Sequence, residues 1–208
     1  MTKIMTASGN ARDGQIENVV GKFRDALRKH CGEIPVDIMQ EVLGTKNLGM
    51  ELFAVVRKHA EMLNGFITHD VSVNRGRTPM QALEASGRRL YINDAVVATM
   101  PLGNGTKAKL FYFKPRPQAF DRNGWMSPTN LAAEYDYVGL QPAPRAQIDD
   151  NTANPEFADD HPNACQWVDV DGNYFYAAFC RWSVERSVGV YRSDGGWRGG
   201  WLFAGVRK

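Results

Sequence analysis

The apolar positions of the chain change their period near residue 65. From Asp13 onward, Ile16, Val20, Phe23 and Leu27 recur at helical spacing, while Glu17, Lys22, Arg24, Asp25 and Arg28 fill the other faces. His30, Cys31 and Gly32 end this helix, because a basic residue followed by glycine is a usual C-terminal signature. Pro35 opens a short second helix carrying Ile38, Val42 and Leu43, with Gly44 as terminator. A third runs from about Asn47 to Leu63, with Leu48, Leu52, Val55, Val56, Met62, Leu63 and His59 inward and Asn64-Gly65 as its stop. The first twelve residues lack periodicity and read as a disordered tail.

Beyond Gly65 the period is that of strands. Ile67, His69, Val71 and Val73 alternate with Thr68, Asp70 and Ser72, so one face of this strand is buried. Thr78, Pro79 and Gln81 form a capping box that starts a short helix ending at Ser86-Gly87. Asp94 is placed to cap another, Ala95 to Met100. Leu110 to Phe113 reads as a fully buried strand. Seven of the ten prolines fall between residues 115 and 163, which predicts an extended connector with one helix, Pro128 to about Tyr137, capped by Ser127. From Ala164, apolar runs at about Cys165–Val170, Asn173–Trp182, Val188–Arg192 and Trp201–Arg207 alternate with turn sequences, Asp171-Gly172 the strongest. They predict a four-stranded antiparallel β-meander whose core draws on four of the five tryptophans.

The fold class expected is therefore α+β. A helical subdomain (13–65) is followed by a mixed α/β basic segment (66–122), an acidic proline-rich connector (123–163) and the aromatic-rich meander (164–208). A hydrophobic content of 43% suits a globular chain. No apolar run reaches the roughly 20 residues of a membrane span, so no membrane partner is expected. The polar opening residues carry no secretory h-region, which predicts a cytoplasmic protein. Cys31, Cys165 and Cys180 are widely spaced and lack a Cys-x-x-Cys, so neither a disulfide framework nor a zinc site is expected.

Charge changes the picture. The net value of +2 divides into zero for residues 1–74, +6 for 75–122, −8 for 123–173 and +4 for 174–208. Such blocks either neutralise one another inside one fold or present opposed faces to partners. If the basic block converges, Arg75, Arg77, Arg88, Arg89, Lys107, Lys109, Lys114 and Arg116 form a candidate nucleic-acid surface with Phe111, Tyr112 and Phe113 interleaved. The alternative puts those aromatics in the core and the lysines at strand ends. The second and third helices have the order of a helix-turn-helix, but the third begins Asn47-Leu48-Gly49-Met50-Glu51, which offers little to base edges.

Catalytic chemistry has few handles. His69-Asp70 and Asp159-Asp160-His161 are residue types that hold divalent metals, which keeps a metal-dependent hydrolase open as an alternative. The first pair alternates like a strand, and the second lies in a turn-like setting before Pro162. No phosphate-cradling glycine loop with Lys-Ser/Thr and no Gly-x-Ser-x-Gly occurs. With no coherent catalytic set, the catalytic residues stay unassigned, and no cofactor or metal is expected.

Three segments together, from Arg77-Thr78-Pro79 to Met100-Pro101, from Phe157 to Asn163, and from Trp201 to Lys208, resemble small accessory proteins encoded in prophages and integrative mobile elements. The resemblance covers residues 66–208 and carries no catalytic residue across. It implies a protein that binds and modulates or inhibits a host or defence protein or nucleoprotein complex, of the anti-defence kind. Direct nucleic-acid binding through 75–116 is the alternative partner assignment.

Overall fold

Helix boundaries in the N-terminal part follow the local signals. The computed structural model describes residues 13–208. The expected tail, and the inward placement of His59, Met62 and Leu63, lie outside the described residues and side chains. The chain divides into two units, one ending at Asn64 and one running from Gly65 to Lys208. The first holds α1 (Asp13–Lys29), α2 (Val36–Leu43) and α3 (Leu48–Asn64). Gly44 caps α2 as expected, while Pro35 stands at the N-cap. The apolar face of α1 exists as a stripe, yet Ile16, Val20, Phe23 and Leu27 stay about half exposed.

The second unit is built on a mixed eight-stranded sheet. In chain order its elements begin with β1 (Ile67–Ser72), α4 (Pro79–Ala85), β2 (Arg89–Ile92), α5 (Asp94–Ala98) and β3 (Lys107–Phe113). Next come β4 (Trp125–Met126), α6 (Pro128–Tyr137), β5 (Leu140–Pro142), α7 (Pro144–Ala153) and α8 (Phe157–Asp160). The chain closes with β6 (Asn163–Val168), β7 (Tyr174–Trp182), β8 (Glu185–Arg192), β9 (Trp197–Arg198) and β10 (Leu202–Arg207). The strand order is β1-β3-β10-β6-β7-β8-β2, with β5 also on β10, and β4 and β9 form a separate ribbon.

Several elements match the sequence signals residue for residue. Thr78 and Gln81 close both halves of the capping box on α4, and Ser127 caps α6 by accepting from the Asn130 N–H. At α5 the cap is Asn93, one residue before the expected Asp94, and its side chain accepts from the Ala95 and Val96 amides. The short strand β2, which pairs parallel to β8, had no clear signal.

Two expectations need correction. The C-terminal strands do not form a four-stranded antiparallel meander. β6, β7 and β8 do follow one another antiparallel, but β8 gives its outer edge to β2. β10 crosses back to lie parallel to β6 and antiparallel to β3. The reason is burial: Phe203, Ala204 and Gly205 are buried in succession, the signature of a central strand covered on both faces. The second correction concerns 123–163, which is not a connector with one helix. It contains α6, β5, α7 and α8, and α7 is buried from Pro144 to Asn151. The prolines start helices here, at the first turns of α6 and α7, where a missing N–H costs nothing.

Helices α4, α5 and α7 cover one sheet face, where Leu83, Val97, Phe179, Val188 and Val190 make one cluster. Val71, Leu110, Tyr112, Cys165 and Ala204 make the other. The opposite face is closed at its centre by α6, whose Tyr135 ring meets Phe113 and whose hydroxyl donates to the Ala204 carbonyl at 2.9 Å.

Gly205 is where β10 passes closest to its neighbours. An added Cβ would lie 2.8 Å from the Gln141 carbonyl oxygen and 3.1 Å from the Tyr135 ring. Because the obstacle is backbone, Gly205→Ala is expected to cost about 1–3 kcal/mol. A lowered thermal midpoint would show it, beside an unchanged Gly199→Ala, whose Cβ meets nothing within 4 Å.

Candidate anion-binding site

The cleft at the β1–β3 end of the sheet exists because two strands part company. β10 pairs with β3 only over Phe203–Gly205, then turns its last residues to β5. The outer half of β3, from Lys107 to Leu110, is left hydrogen-bonded to β1 alone. A cleft of about 550 Å³ opens there, walled by the 101–104 loop and reaching Ala143, Arg145 and Ala146 at the start of α7.

Five cationic side chains line this cleft: Arg75, Lys107, Lys109, Arg145 and Arg207. No Asp or Glu lines it among the described residues. Arg75 is fixed by its own hydrogen bonds, donating Nε to the Gly105 carbonyl at 2.7 Å, Nη2 to Asn104 at 3.1 Å and Nη1 to Leu102. Those neutral acceptors hold the guanidinium without cancelling its charge. Arg207 donates to the Val138 carbonyl and lies over the Phe111 ring at 4.7 Å. Arg145 is 2% exposed and gives Nη1 to the Thr78 carbonyl and Nη2 to the Asn74 carbonyl, with Nε left buried and unpartnered. Its nearest carboxylate is Asp149 at 3.9 Å. Burial pulls the Arg145 pKa below its ordinary value, and repulsion from Arg75 and Arg77 lowers it further while Asp149 opposes. Arg75 and Arg77 thus stand close enough to Arg145 to repel it, and Asp149 offsets that repulsion.

Of the eight expected basic residues, the structure brings Arg75, Lys107 and Lys109 together here. Arg77 sits on the adjacent loop, close enough to Arg145 to be felt by it. Lys114 is exposed just beyond β3. Arg88 is buried, donating to the Pro155 carbonyl at 2.6 Å and lying over the Phe179 ring. Burial is the main cause lowering its pKa, with Arg186 adding repulsion. Arg89 lies on β2, at the far edge of the sheet, paired with Glu185 at 3.2 Å. Arg116 clasps Glu134 through Nε and Nη2 and covers the Tyr137 ring.

Sequence reasoning missed Arg145 and Arg207. Arg145 is the one basic residue among nine acids in 123–173, directly after a proline suited to open a helix, and that isolation was the available signal. Arg207 stands at a strand end with no local mark.

Three carboxylates of the acidic block take cations from the neighbouring blocks. Glu134 takes Arg116, Asp136 takes Lys208 at 2.5 Å, and Asp159 takes Arg186 at 2.7 Å and Arg181 at 3.5 Å. The Arg186 hydrogen bonds hold the Asp159 carboxyl below its usual range.

The residues with metal-ligand chemistry do not converge. His69 is buried toward α7 while Asp70 is exposed on the other face of β1. The His69 Nδ1 donates to Asp150 at 2.7 Å, and the Tyr112 hydroxyl donates to the same oxygen at 2.6 Å. Burial, then the Asp150 charge, push the Tyr112 pKa well above its ordinary value, so the phenol stays a donor. The His161 ring packs on the Phe157 ring, with centroids 5.1 Å apart. Among the described residues no three His, Cys, Asp or Glu side chains are placed to share an ion. Burial pushes the Cys165 thiol up to about 12, the reverse of an activated nucleophile. No helix among the described residues is long and apolar enough to cross a membrane.

The chain matches no protein family model, no curated protein and no solved structure, so its chemistry is read from its own residues.

The two kinds of basic residue should separate on denaturation. Arg88→Ala leaves the Pro155 carbonyl unpaired beside a new void and is expected to cost about 2–4 kcal/mol. Lys109→Ala should stay within about 0.5 kcal/mol of the parent in urea unfolding.

Proposed function

We propose that this protein is a non-enzymatic binding protein of a mobile element that engages a nucleic-acid strand, free or within a host nucleoprotein complex, through the basic cleft. The single observation carrying this reading is the concentration of cations around a cleft without a carboxylate, while Arg89, Arg116, Arg186 and Lys208 are matched by acids. Cations that grip phosphates give affinity and position without reading sequence. Arg75, Arg145 and Arg207 are held by carbonyl acceptors, so little side-chain ordering remains to oppose binding. Lys107 and Lys109, on the strand edge, would supply the mobile cations. The modulating or inhibitory role in the host follows from the sequence resemblance, and occupation of the strand that a defence complex needs would be its physical means.

The test is fluorescence anisotropy with a labelled oligonucleotide over a salt series. Binding should weaken steeply with salt, and the double variant Lys107→Ala/Lys109→Ala should reduce the log–log slope by about two, one for each phosphate no longer neutralised. Absence of binding at low salt, or an unchanged slope in the variant, would sink the reading.

A further inference from the structure

The first helix of the N-terminal unit keeps its apolar face exposed. No residue of α1 is buried, and Ile16, Val19, Val20, Phe23 and Leu27 each retain between 44% and 49% of their surface. An amphipathic helix of this length is marginal in water by itself, because most helical stability comes from packing the apolar face. The spacing of that face is specific. Ile16, Val20, Phe23 and Leu27 follow one another at steps of four, three and four, the seam of a two-stranded coiled coil. Ile16 and Phe23 then stand at d positions, and Val20 and Leu27 at a positions.

The flanks of the seam indicate what covers it. Glu17 and Arg24, each directly after a d residue, hold the e positions on one flank, and Val19 and Ala26 hold the g positions on the other. In a parallel pair, e faces g of the partner helix, so neither charge would meet its opposite. In an antiparallel pair, e faces e and g faces g. Glu17 then meets Arg24 of a second copy, twice by symmetry, and Val19 meets Ala26. The seam layers match in the same register, Ile16 against Leu27 and Val20 against Phe23. The rest of the helix agrees. Asp13 and Glu17 are the charges of its first half, while Lys22, Arg24, Arg28 and Lys29 outweigh Asp25 in the second. The helix dipole accounts for charges in the end turns, but Glu17 and Arg24 lie inside them.

We propose that two copies of this protein pair antiparallel through α1, burying the Ile16–Val20–Phe23–Leu27 seam and setting Glu17 against Arg24 of the other copy. The seam is about 18 Å long, so the pair is a reversible one that forms at micromolar concentration. It is independent of the basic cleft, and a failure of nucleic-acid binding leaves it untouched.

The experiment is sedimentation velocity of the full chain from low to high micromolar concentration, which should show a monomer–dimer equilibrium. Leu27→Asp, which puts a charge into the seam, should leave a monomer throughout, with thermal melting to confirm that the sheet-bearing unit is folded. Glu17→Lys and Arg24→Glu should each weaken the dimer about tenfold, since each turns two attractions into two repulsions. The double swap Glu17→Lys/Arg24→Glu should restore the parental constant, which a merely unfolded helix would not do. Cys31, an exposed free thiol just past α1, reads the orientation. An antiparallel pair holds the two Cys31 residues about 28 Å apart, so mild oxidation should not link them. A monomer at every concentration would overturn the proposal, whether or not the chain then binds anionic vesicles. So would a dimer indifferent to Leu27→Asp, a double swap that restores nothing, or a disulfide through Cys31.

Discussion

Helix α7 turns charged and amide side chains onto the sheet, where an ordinary covering helix would turn leucines. Arg145, Gln147, Asp149, Asp150 and Asn151 are all buried. Each needs a partner, because an unpaired charge at such depth costs several kcal/mol. The surrounding elements supply them. His69 of β1, Tyr112 of β3 and Asn154 at the end of α7 converge on the Asp150 carboxylate. The Asn74 amide donates to Asp149, and the Asn74 and Thr78 carbonyls accept from Arg145. Asn163 at the start of β6 meets both Gln147 and Asn151. A shift of α7 by one turn, about 5.4 Å, would strip all of these bonds except the one from Asn154, which moves with the helix. An apolar helix could slide at smaller loss, so this network fixes register as well as contributing stability.

The same network sets the surface. By holding the loop at 74–78, α7 fixes the place of Arg75, whose guanidinium then ties down the 102–105 loop and forms one wall of the basic cleft. The requirement that buried charges be matched also explains where the acidic block went. Glu134 and Asp159 face Arg116 and Arg186, so the charges of neighbouring blocks are spent in pairs. What is left over at the parting of β3 and β10 is positive, with only Arg145 facing a carboxylate, Asp149 at 3.9 Å, among the described residues. Internal neutralisation and a charged face were opposed readings of the sequence; in the fold, pairing between blocks leaves a cationic cleft over.

Local signals were legible wherever the physics is local. The capping box at Thr78, the Ser127 cap and the alternation in β1 each depend on residues a few positions apart. The Asp171-Gly172 turn is also local, since Gly172 takes φ +82° and the Asp169 side chain accepts amides across the loop. Strand order was not legible, because whether β10 continues a meander or returns to the centre depends on which edges are already taken. α7 was misread for a related reason. Its side chains are polar by composition, and a polar stretch between prolines looks like a loop until its partners, up to 81 residues away in sequence, are in place. The basic residues followed the same division. Arg88 and Lys109 have the same formal charge and similar sequence settings, yet one is a core hydrogen-bond donor and the other lines a cleft.

Two strand glycines show how a glycine the fold requires can be separated from one it merely tolerates. Gly205 is surrounded, with the Gln141 backbone, the Tyr135 ring and Leu140 all inside the radius of a methyl group, so the three-way meeting of β3, β10 and β5 requires it. Gly189 has ordinary van der Waals room. Both stand inside strands and both cost the chain conformational entropy, though Gly205 is buried and Gly189 only partly so. The space around the absent Cβ distinguishes them. Where that space is filled by the protein, glycine is explained by packing. Where the neighbours of the absent Cβ stand at ordinary contact distance, as at Gly189, packing tolerates a glycine without requiring one.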